Sequence, residues 1–149
     1  MFVVDTNILI YAAIEEFPEH RTARELVEQW RNETRPWGCT WSIIYEFLRV
    51  VTHRSVFERP LSTAEAWSFI EHLMEALTFR VIAETSRHEE VLGLMIAEYP
   101  RLAGNIMHDL HTAALMKEHG VTEIRSADTD FQKFKFLRVV NPLGKRGRG

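Results

Sequence analysis

Four acidic residues stand where predicted structural elements meet, and together they could bind a divalent metal ion. Asp5 follows an apolar run at residues 2–4, and Asp128 follows another short strand-like segment. Glu46 and Asp109 each lie one turn into a predicted helix. Carboxylates that converge cannot all stay ionised without a counter-charge, and oxygen ligands of this kind suit Mg²⁺ or Mn²⁺ better than zinc. Such ions promote phosphodiester chemistry by polarising a phosphate and generating a nucleophile.

Each acid taken alone has a simpler explanation. The chain contains 21 Asp and Glu residues, and most charged side chains of a folded protein lie on its surface. Asp5 could also cap the helix that follows it, with Thr6 and Asn7 as turn residues. The surface explanation is weaker for four acids that occupy matching positions in the predicted elements.

Short apolar strands alternate with amphipathic helices along the chain. The predicted strands cover residues 2–5, 37–41, 79–82, 122–126 and 137–140. The predicted helices are a short one after the first strand, one at 18–35, one capped by Ser42, one after Ser62, one at 87–99 and one from 104–105 to Lys117, with Gly120 as its stop. This alternation predicts a single α/β domain with a mainly parallel sheet of about five short strands flanked by helices.

A parallel sheet would bring the four acids together. The carboxyl ends of its strands and the amino ends of the following helices meet at one edge, where ligand crevices form in open α/β sheets. Thr6, Asn7 and Ser126 could then hydrogen-bond the acids from behind.

Composition limits how the chain could contact nucleic acid. The net charge is −3, so any such contact needs a local basic patch. The candidates for this rim are Arg49, Arg54, Lys133, Lys135 and Arg138, together with a flexible basic tail at 144–149. A single cysteine, Cys39, excludes an intramolecular disulfide and suits a reducing cytoplasm. We also expect no signal peptide and no membrane span.

Three further residues near these acids allow two interpretations each. His108 and His111 lie three positions apart on the helix of Asp109, a spacing that could serve a metal. We favour a surface or substrate-contact role, because no cysteine or other histidine has a suitable spacing. Asp130 could assist Asp128 or cap the turn that follows, and we favour the cap.

Four segments resemble the motifs of PIN-domain ribonucleases, and most closely those of the VapC toxins of type II toxin–antitoxin pairs. They are residues 3–9 (VVDTNIL), 42–47 (SIIYEF), 104–114 (GNIMHDLHTAA) and 126–131 (SADTDF). Their order matches that of the family, and they extend over essentially the whole chain. The chain departs from the family at Ser126, where threonine is usual, and at the two histidines around Asp109.

The resemblance implies a metal-dependent endoribonuclease that is toxic through RNA cleavage. It makes Asp5, Glu46, Asp109 and Asp128 the catalytic acids and the ligands of Mg²⁺ or Mn²⁺, within a PIN domain at residues 1–143. It also implies a homodimer and a cognate VapB-type antitoxin that inserts a basic side chain near the acids. Helical periodicity suggests that the antitoxin docks around Leu9, Tyr11, Phe17 and the helix that begins near Ser42.

Other functions remain open on the sequence alone. A PIN nuclease of RNA processing, a relative that cleaves DNA and a PIN scaffold without catalysis would share the same motifs. A phosphatase that forms an aspartyl-phosphate at Asp5 needs a second acid two residues later, where this chain has Asn7.

Overall fold

The predicted strands and helices all form, with shifts of a few residues at their ends. The computed structural model describes residues 1–144. The strands are β1 (Phe2–Val4), β2 (Trp37–Thr40), β3 (Phe79–Ile82), β4 (Glu123–Arg125) and β5 (Arg138–Val140). The helices are α1 (Thr6–Ala13), α2 (His20–Asn32), α3 (Trp41–Val51), α4 (Thr63–Met74), α5 (His88–Glu98) and α6 (Ile106–Glu118). A 3₁₀ turn, Asp130–Lys133, lies between β4 and β5.

The five strands form one parallel sheet in the order β3-β2-β1-β4-β5. The chain moves outward from β1 through β2 to β3 and then returns to the other side of β1 to form β4 and β5. The winding direction therefore reverses between β1 and β4, and α/β sheets bind ligands beyond the carboxyl ends of the strands at such a reversal.

The central strand β1 is buried along its whole length. Val3 and Val4 of β1 have no exposed surface, as expected for a parallel strand covered on both faces. The Phe2 ring packs edge-on against Trp30 of α2, with ring centroids 5.3 Å apart. Next to β1, β2 approaches β3 so closely at Gly38 that an added Cβ would lie 1.7 Å from the carbonyl oxygen of Arg80. Only glycine fits there.

The predicted cap at the junction of β2 and α3 is wrong. Trp41 is the first residue of α3 rather than the end of a strand, and the helix cap is Thr40 rather than Ser42. The Thr40 hydroxyl accepts a hydrogen bond from the backbone N–H of Ile43 at 3.2 Å. Thr40 is extended and also supplies this cap, so the strand passes into the helix without a loop.

Two other predicted helix limits are confirmed, the break that ends at Ser62 before α4 and the stop at Gly120 after α6. Ser62 caps α4 through a capping box with Glu65, and Gly120 follows α6 with a positive φ of 68°, the conformation that favours glycine after a helix. Of the predicted basic tail, residues 145–149 lie outside the described residues. Within 1–144, the helices are too short or too polar to cross a membrane.

Candidate functional site

Asp5 lies at the reversal point of the sheet, directly after β1. Its side chain is buried and caps α1, because one carboxylate oxygen accepts a hydrogen bond from the backbone N–H of Thr6 at 2.8 Å. The other oxygen, Oδ2, accepts a hydrogen bond from the Ser126 hydroxyl at 2.7 Å. Both interpretations of Asp5 therefore hold, since one carboxylate caps the helix and also faces the predicted site.

Asn7 and Ser126 connect Asp5 with Asp128. The Asn7 amide nitrogen lies 3.1 Å from Asp128 Oδ2 and 3.2 Å from Ser126 Oγ, and its amide oxygen accepts from the N–H of Ala127 at 3.2 Å. The backbone N–H of Asp128 donates to Ser126 Oγ at 3.2 Å. This network ties the start of α1 to the loop after β4 and holds two of the four acids in place, as predicted for Asn7 and Ser126.

The other two acids enter the same site from α3 and α6. A cleft of about 300 Å³ is lined by Asp5, Glu46 and Asp109, and also by Thr6, Ser42, Ile43, Tyr45, Arg49, His108, Thr112 and Phe131. The Thr6 hydroxyl lies 3.4 Å from Glu46 Oε2. The structure thus brings three acids together around one cleft, with Asp128 reaching Asp5 through Ser126 and Asn7.

Two acids of this cleft, Asp5 and Asp109, have raised pKa values. Burial is the main reason why the pKa of Asp5 rises from 3.8 to about 7, and the negative charges of Asp128 and Asp109 add to the shift. Burial also raises the pKa of Asp109 to about 6, followed by the charges of Asp130, Asp128 and Glu46. The hydrogen bonds from Ser126 and Thr6 oppose the shift at Asp5 but do not cancel it.

Nearby cations do not neutralise the cluster. Within residues 1–144, no lysine or arginine forms an ion pair with Asp5, Asp109 or Asp128, whereas an Arg49 nitrogen lies 3.9 Å from Glu46. The charge of Lys133 lowers the pKa of Asp109, but its effect is smaller than that of burial and of each of the three negative charges that raise this pKa. A group of oxygen donors with excess negative charge and raised pKa values fits a hard divalent cation.

Asp130 does not cap the 3₁₀ turn, so the favoured interpretation is wrong. It is the first residue of that turn, and the preceding Thr129 makes no side-chain cap either. Instead, the backbone N–H of Asp130 donates to Asp128 Oδ1 at 3.1 Å. Its charge is the largest contribution after burial to the raised pKa of Asp109. Asp130 therefore belongs electrostatically with the acids.

The two histidines around Asp109 have different surroundings. His108 lines the cleft, in agreement with a substrate-contact role. His111 lies instead against His88 of α5, with ring centroids 5.7 Å apart, and its Nε2 is 2.7 Å from Glu84 Oε1. No cysteine or further histidine has a metal-ligand spacing in the sequence, but the packing of α5 on α6 brings His88 next to His111.

The predicted basic rim is only partly at the cleft. Arg49 lines it, and Lys133 acts on Asp109. Arg138 is not part of the rim, because its guanidinium hydrogen-bonds Glu123, and both residues begin their strands, at the opposite edge of the sheet from Asp5.

The predicted docking surface also needs correction. Leu9 has no exposed surface, because it faces the core. Tyr11 and Phe17 pack against each other with centroids 4.9 Å apart, and Phe17 packs further on Phe57. The other part of the predicted surface, the helix near Ser42, does present exposed aromatic side chains, because Tyr45 of α3 is 70% exposed and Trp41 is 45% exposed.

A family model and two sequence relatives all indicate the same protein family. A family model for the PIN domain matches residues 2–137. Ribonuclease VapC43 of Mycobacterium tuberculosis is 34% identical over 143 residues, which cover 96% of this chain and 96% of that protein. Ribonuclease VapC33 of the same organism is 32% identical over 144 residues, which cover 96% and 99%.

Solved structures agree at the level of the fold. The crystal structure of M. tuberculosis VapC20, a sarcin–ricin-loop-cleaving toxin, has a TM-score of 0.62 at 17% identity and covers 89% of this chain and 94% of that one. Rickettsia felis VapBC2, bound to a DNA fragment from its promoter, has a TM-score of 0.62 at 15% identity, covering 94% and 97%.

Proposed function

Because the chain belongs to the PIN-domain family and, within it, to the VapC ribonucleases, we propose that it hydrolyses phosphodiester bonds of RNA with Mg²⁺ or Mn²⁺. The observation that carries this proposal is the convergence of Asp5, Glu46 and Asp109 on one cleft, with Asp128 held next to Asp5 by Ser126 and Asn7. Among residues 1–144, Asp5, Asp109 and Asp128 have no lysine or arginine as an ion-pair partner, and burial and mutual repulsion raise the pKa of Asp5.

The four acids have distinct parts in this proposal. Asp5 and Asp109 are the principal metal ligands, and Glu46 and Asp128 complete the site directly or through water. A bound divalent ion would balance these charges and polarise a phosphate oxygen. Ser126 and the backbone N–H of Thr6 fix the orientation of Asp5.

Residues at the cleft entrance would bind the RNA strand. Arg49 lies at the cleft and is 68% exposed, so its guanidinium could contact a phosphate of the substrate. Lys133 lies close enough to act on the charge of Asp109. We propose these two side chains as the phosphate contacts that offset the repulsion between acids and RNA.

The decisive experiment compares Asp109→Asn with Glu98→Gln, which removes an exposed acid from the far end of α5. Purified proteins are incubated with labelled RNA and with DNA of the same sequence, over a Mg²⁺ and Mn²⁺ titration. We expect Asp109→Asn to lose cleavage by roughly a hundredfold or more, while Glu98→Gln cleaves like wild type. Wild-type cleavage by Asp109→Asn would refute the metal site, and preference for DNA would refute the substrate.

We further propose that a VapB-type antitoxin inhibits this site. Rickettsia felis VapBC2 is such a toxin–antitoxin pair, and an arginine can grip two carboxylate oxygens at once. Co-expression with the upstream open reading frame should rescue growth, and an Arg→Ala change in the partner's C-terminal segment should restore cleavage within an intact complex. If the intact complex cleaves RNA as fast as the free chain, a constitutive RNA-processing nuclease becomes the better account.

We also propose that residues 1–143 form the PIN domain and that it acts in the cytoplasm as a homodimer. Cys39 is buried and burial raises its pKa to about 12, so the one thiol is protected from disulfide chemistry.

The exposed aromatic side chains of α3 provide an apolar surface for a second copy or the antitoxin. Light scattering on the free chain tests the dimer, and a monomer mass at micromolar concentration would exclude it.

A further inference from the structure

A second group of metal-binding side chains lies apart from the acidic cleft. Glu84 follows β3, His88 begins α5, and His111 lies in the middle of α6. One ligand atom from each residue lies within 4.8 Å of the other two. His111 is two residues beyond Asp109 and so projects about 200° further around α6. The group therefore lies on the other side of this helix from the Asp109 carboxylate.

A buried carboxylate orients one of these histidines. Glu118 has no exposed side-chain surface, and its Oε2 lies 2.7 Å from His88 Nδ1. The other oxygen accepts hydrogen bonds from the backbone N–H and hydroxyl of Thr85, at 3.0 and 2.8 Å. Burial opposes the ionisation of Glu118, but the bonds from His88 and Thr85 outweigh it and lower its pKa.

This arrangement sets the tautomer of His88. An ionised Glu118 only accepts hydrogen bonds, so His88 donates through Nδ1–H, and in the neutral ring the lone pair for a metal is then on Nε2. Metal-binding histidines in proteins are usually held by such a carboxylate on the ring nitrogen that does not touch the metal. The hydrogen bond between Glu118 and His88 therefore fixes the orientation of the His88 ring as it would be fixed in a metal site.

The other two members are already next to each other. His111 Nε2 and Glu84 Oε1 are 2.7 Å apart, the separation of a hydrogen bond. Neighbouring ligands of a tetrahedral zinc ion with bonds near 2.0 Å are about 3.3 Å apart, so small side-chain rotations would make room.

We propose that Glu84, His88 and His111 bind one transition-metal ion of the zinc type, with solvent completing its coordination. Two imidazoles and one carboxylate form a donor set that favours zinc over magnesium, whereas the cleft around Asp5 offers oxygen alone. The ion would join the segment after β3 and the start of α5 to α6, the helix that carries Asp109. By linking these segments, the bound ion would stabilise the fold. It takes no part in the proposed hydrolysis.

The test titrates the full chain with Zn²⁺, and with Co²⁺ as a coloured probe, while Mg²⁺ is kept saturating. We expect one equivalent of Zn²⁺, a raised Tm, and a Co²⁺ spectrum of nitrogen-containing ligands. His88→Gln and His111→Gln should each weaken Zn²⁺ binding at least tenfold, and Glu118→Gln should weaken it between ten- and a hundredfold. Circular dichroism without zinc verifies that each variant is folded.

The matched control is His72→Gln. His72 Nε2 also lies 2.7 Å from a carboxylate, that of Glu28, but among residues 1–144 this pair is not part of a group of three ligand atoms that all lie within 4.8 Å of one another. Zn²⁺ binding should be unchanged in His72→Gln and in Asp5→Asn. Unchanged affinity in both His88→Gln and His111→Gln, or loss of the zinc equivalent in Asp5→Asn, would overturn the proposal, because the ion would then bind elsewhere.

Discussion

Two buried carboxylates, at opposite edges of the same sheet, have opposite electrostatic surroundings. Asp5 is 9% exposed and Glu123 is 6% exposed. Glu123 accepts a hydrogen bond from Arg138, and its second oxygen lies 2.9 Å from Arg35 and 3.5 Å from Arg125. Asp5 has other acids around it and hydrogen bonds from uncharged groups.

The difference appears in the pKa values. Burial opposes ionisation at Glu123, but the Arg138 hydrogen bond and the charges of Arg35 and Arg125 outweigh it and lower its pKa. At Asp5, burial acts with the neighbouring acids and raises the pKa to about 7. At similar burial, the charge of Glu123 is therefore compensated by arginines, whereas the charge of Asp5 is not. An uncompensated buried carboxylate is typical of a site that binds a cation.

The largest effect is expected at Asp5, where one substitution should reduce RNA cleavage and raise the stability of the metal-free protein. Asp5→Asn should reduce RNA cleavage by about a thousandfold, because it removes a principal ligand. The rise of the Asp5 pKa from 3.8 to about 7 corresponds to roughly 4 kcal/mol at pH 8, at about 1.4 kcal/mol per pKa unit. Asp5→Asn should therefore raise the stability of the metal-free protein at pH 8 by about 2 to 4 kcal/mol, because the amide keeps only one of the two acceptor oxygens. Cleavage assays and thermal melts in EDTA measure the two effects. A lower Tm for Asp5→Asn would show that the charge is already compensated.

Glu123→Gln should lower the stability of the protein and leave RNA cleavage unchanged. Removing this charge leaves Arg125, whose side chain is 19% exposed, without its buried partner, and should destabilise the protein by about 2 kcal/mol. For a chain of this size the Tm should fall by roughly 6 °C, with RNA cleavage unchanged at a temperature where the variant is folded. Arg21→Gln is the control, because it breaks a highly exposed pair with Glu25 and should leave Tm almost unchanged. Loss of cleavage in folded Glu123→Gln would mean that the two edges are coupled.

The pH dependence of stability should also distinguish the edges. Between its unfolded pKa of 3.8 and its folded pKa of about 7, Asp5 holds a proton that the unfolded chain has released. The stability of the metal-free protein therefore falls as pH rises through this window. The lowered pKa values of Glu123 and Glu118 have the opposite effect, and their contribution is lost as pH falls below about 4.5.

Urea denaturation in EDTA from pH 4 to 8 measures this profile. Wild type should be most stable on the acid side of neutrality, and Asp5→Asn should flatten the fall between about pH 5 and 7. A wild-type profile that rises steadily up to pH 8 would contradict the raised pKa values of the cleft.

The smallest effect concerns metal addition. Mg²⁺ at about ten times its dissociation constant should stabilise the protein by about 1.4 kcal/mol, because only the folded state has the site. This corresponds to a rise in Tm of roughly 4 °C, and Asp109→Asn should lose most of it. Glu123→Gln serves as the control and should keep the full rise despite its lower starting Tm. An equal rise in Asp109→Asn would place the ion outside the cleft.

Much of the fold follows from local sequence patterns, because apolar periodicity and capping act within a few residues. Ser62 and Gly120 mark helix ends where expected. At Thr40, by contrast, two neighbouring hydroxyl residues could each cap α3, and local preference does not distinguish them. The contact of Gly38 with β3 has no local signal at all, since it depends on which strands pair.

The acidic site was predictable for a related reason. In a parallel sheet, strand ends and following helix starts share one edge, so the positions of Asp5, Glu46, Asp109 and Asp128 in their elements already indicated convergence. For Asp130 the sequence favoured the cap over an acidic role, because the evidence for the acidic role is a charge acting on Asp109, and this interaction passes between elements. Arg138 was misplaced because its position at the start of β5 puts it at the other edge.

By itself, the sequence determined the alternation of strands and helices and the acids that end or begin them. Only the tertiary structure decided which side chains became partners. It placed three arginines around Glu123 and left Asp5 among acids. It also joined His88, His111 and Glu118 across α5 and α6. The physical reason is range: backbone propensity and periodicity act along a few turns of chain, whereas pairing depends on which faces of distant elements pack together.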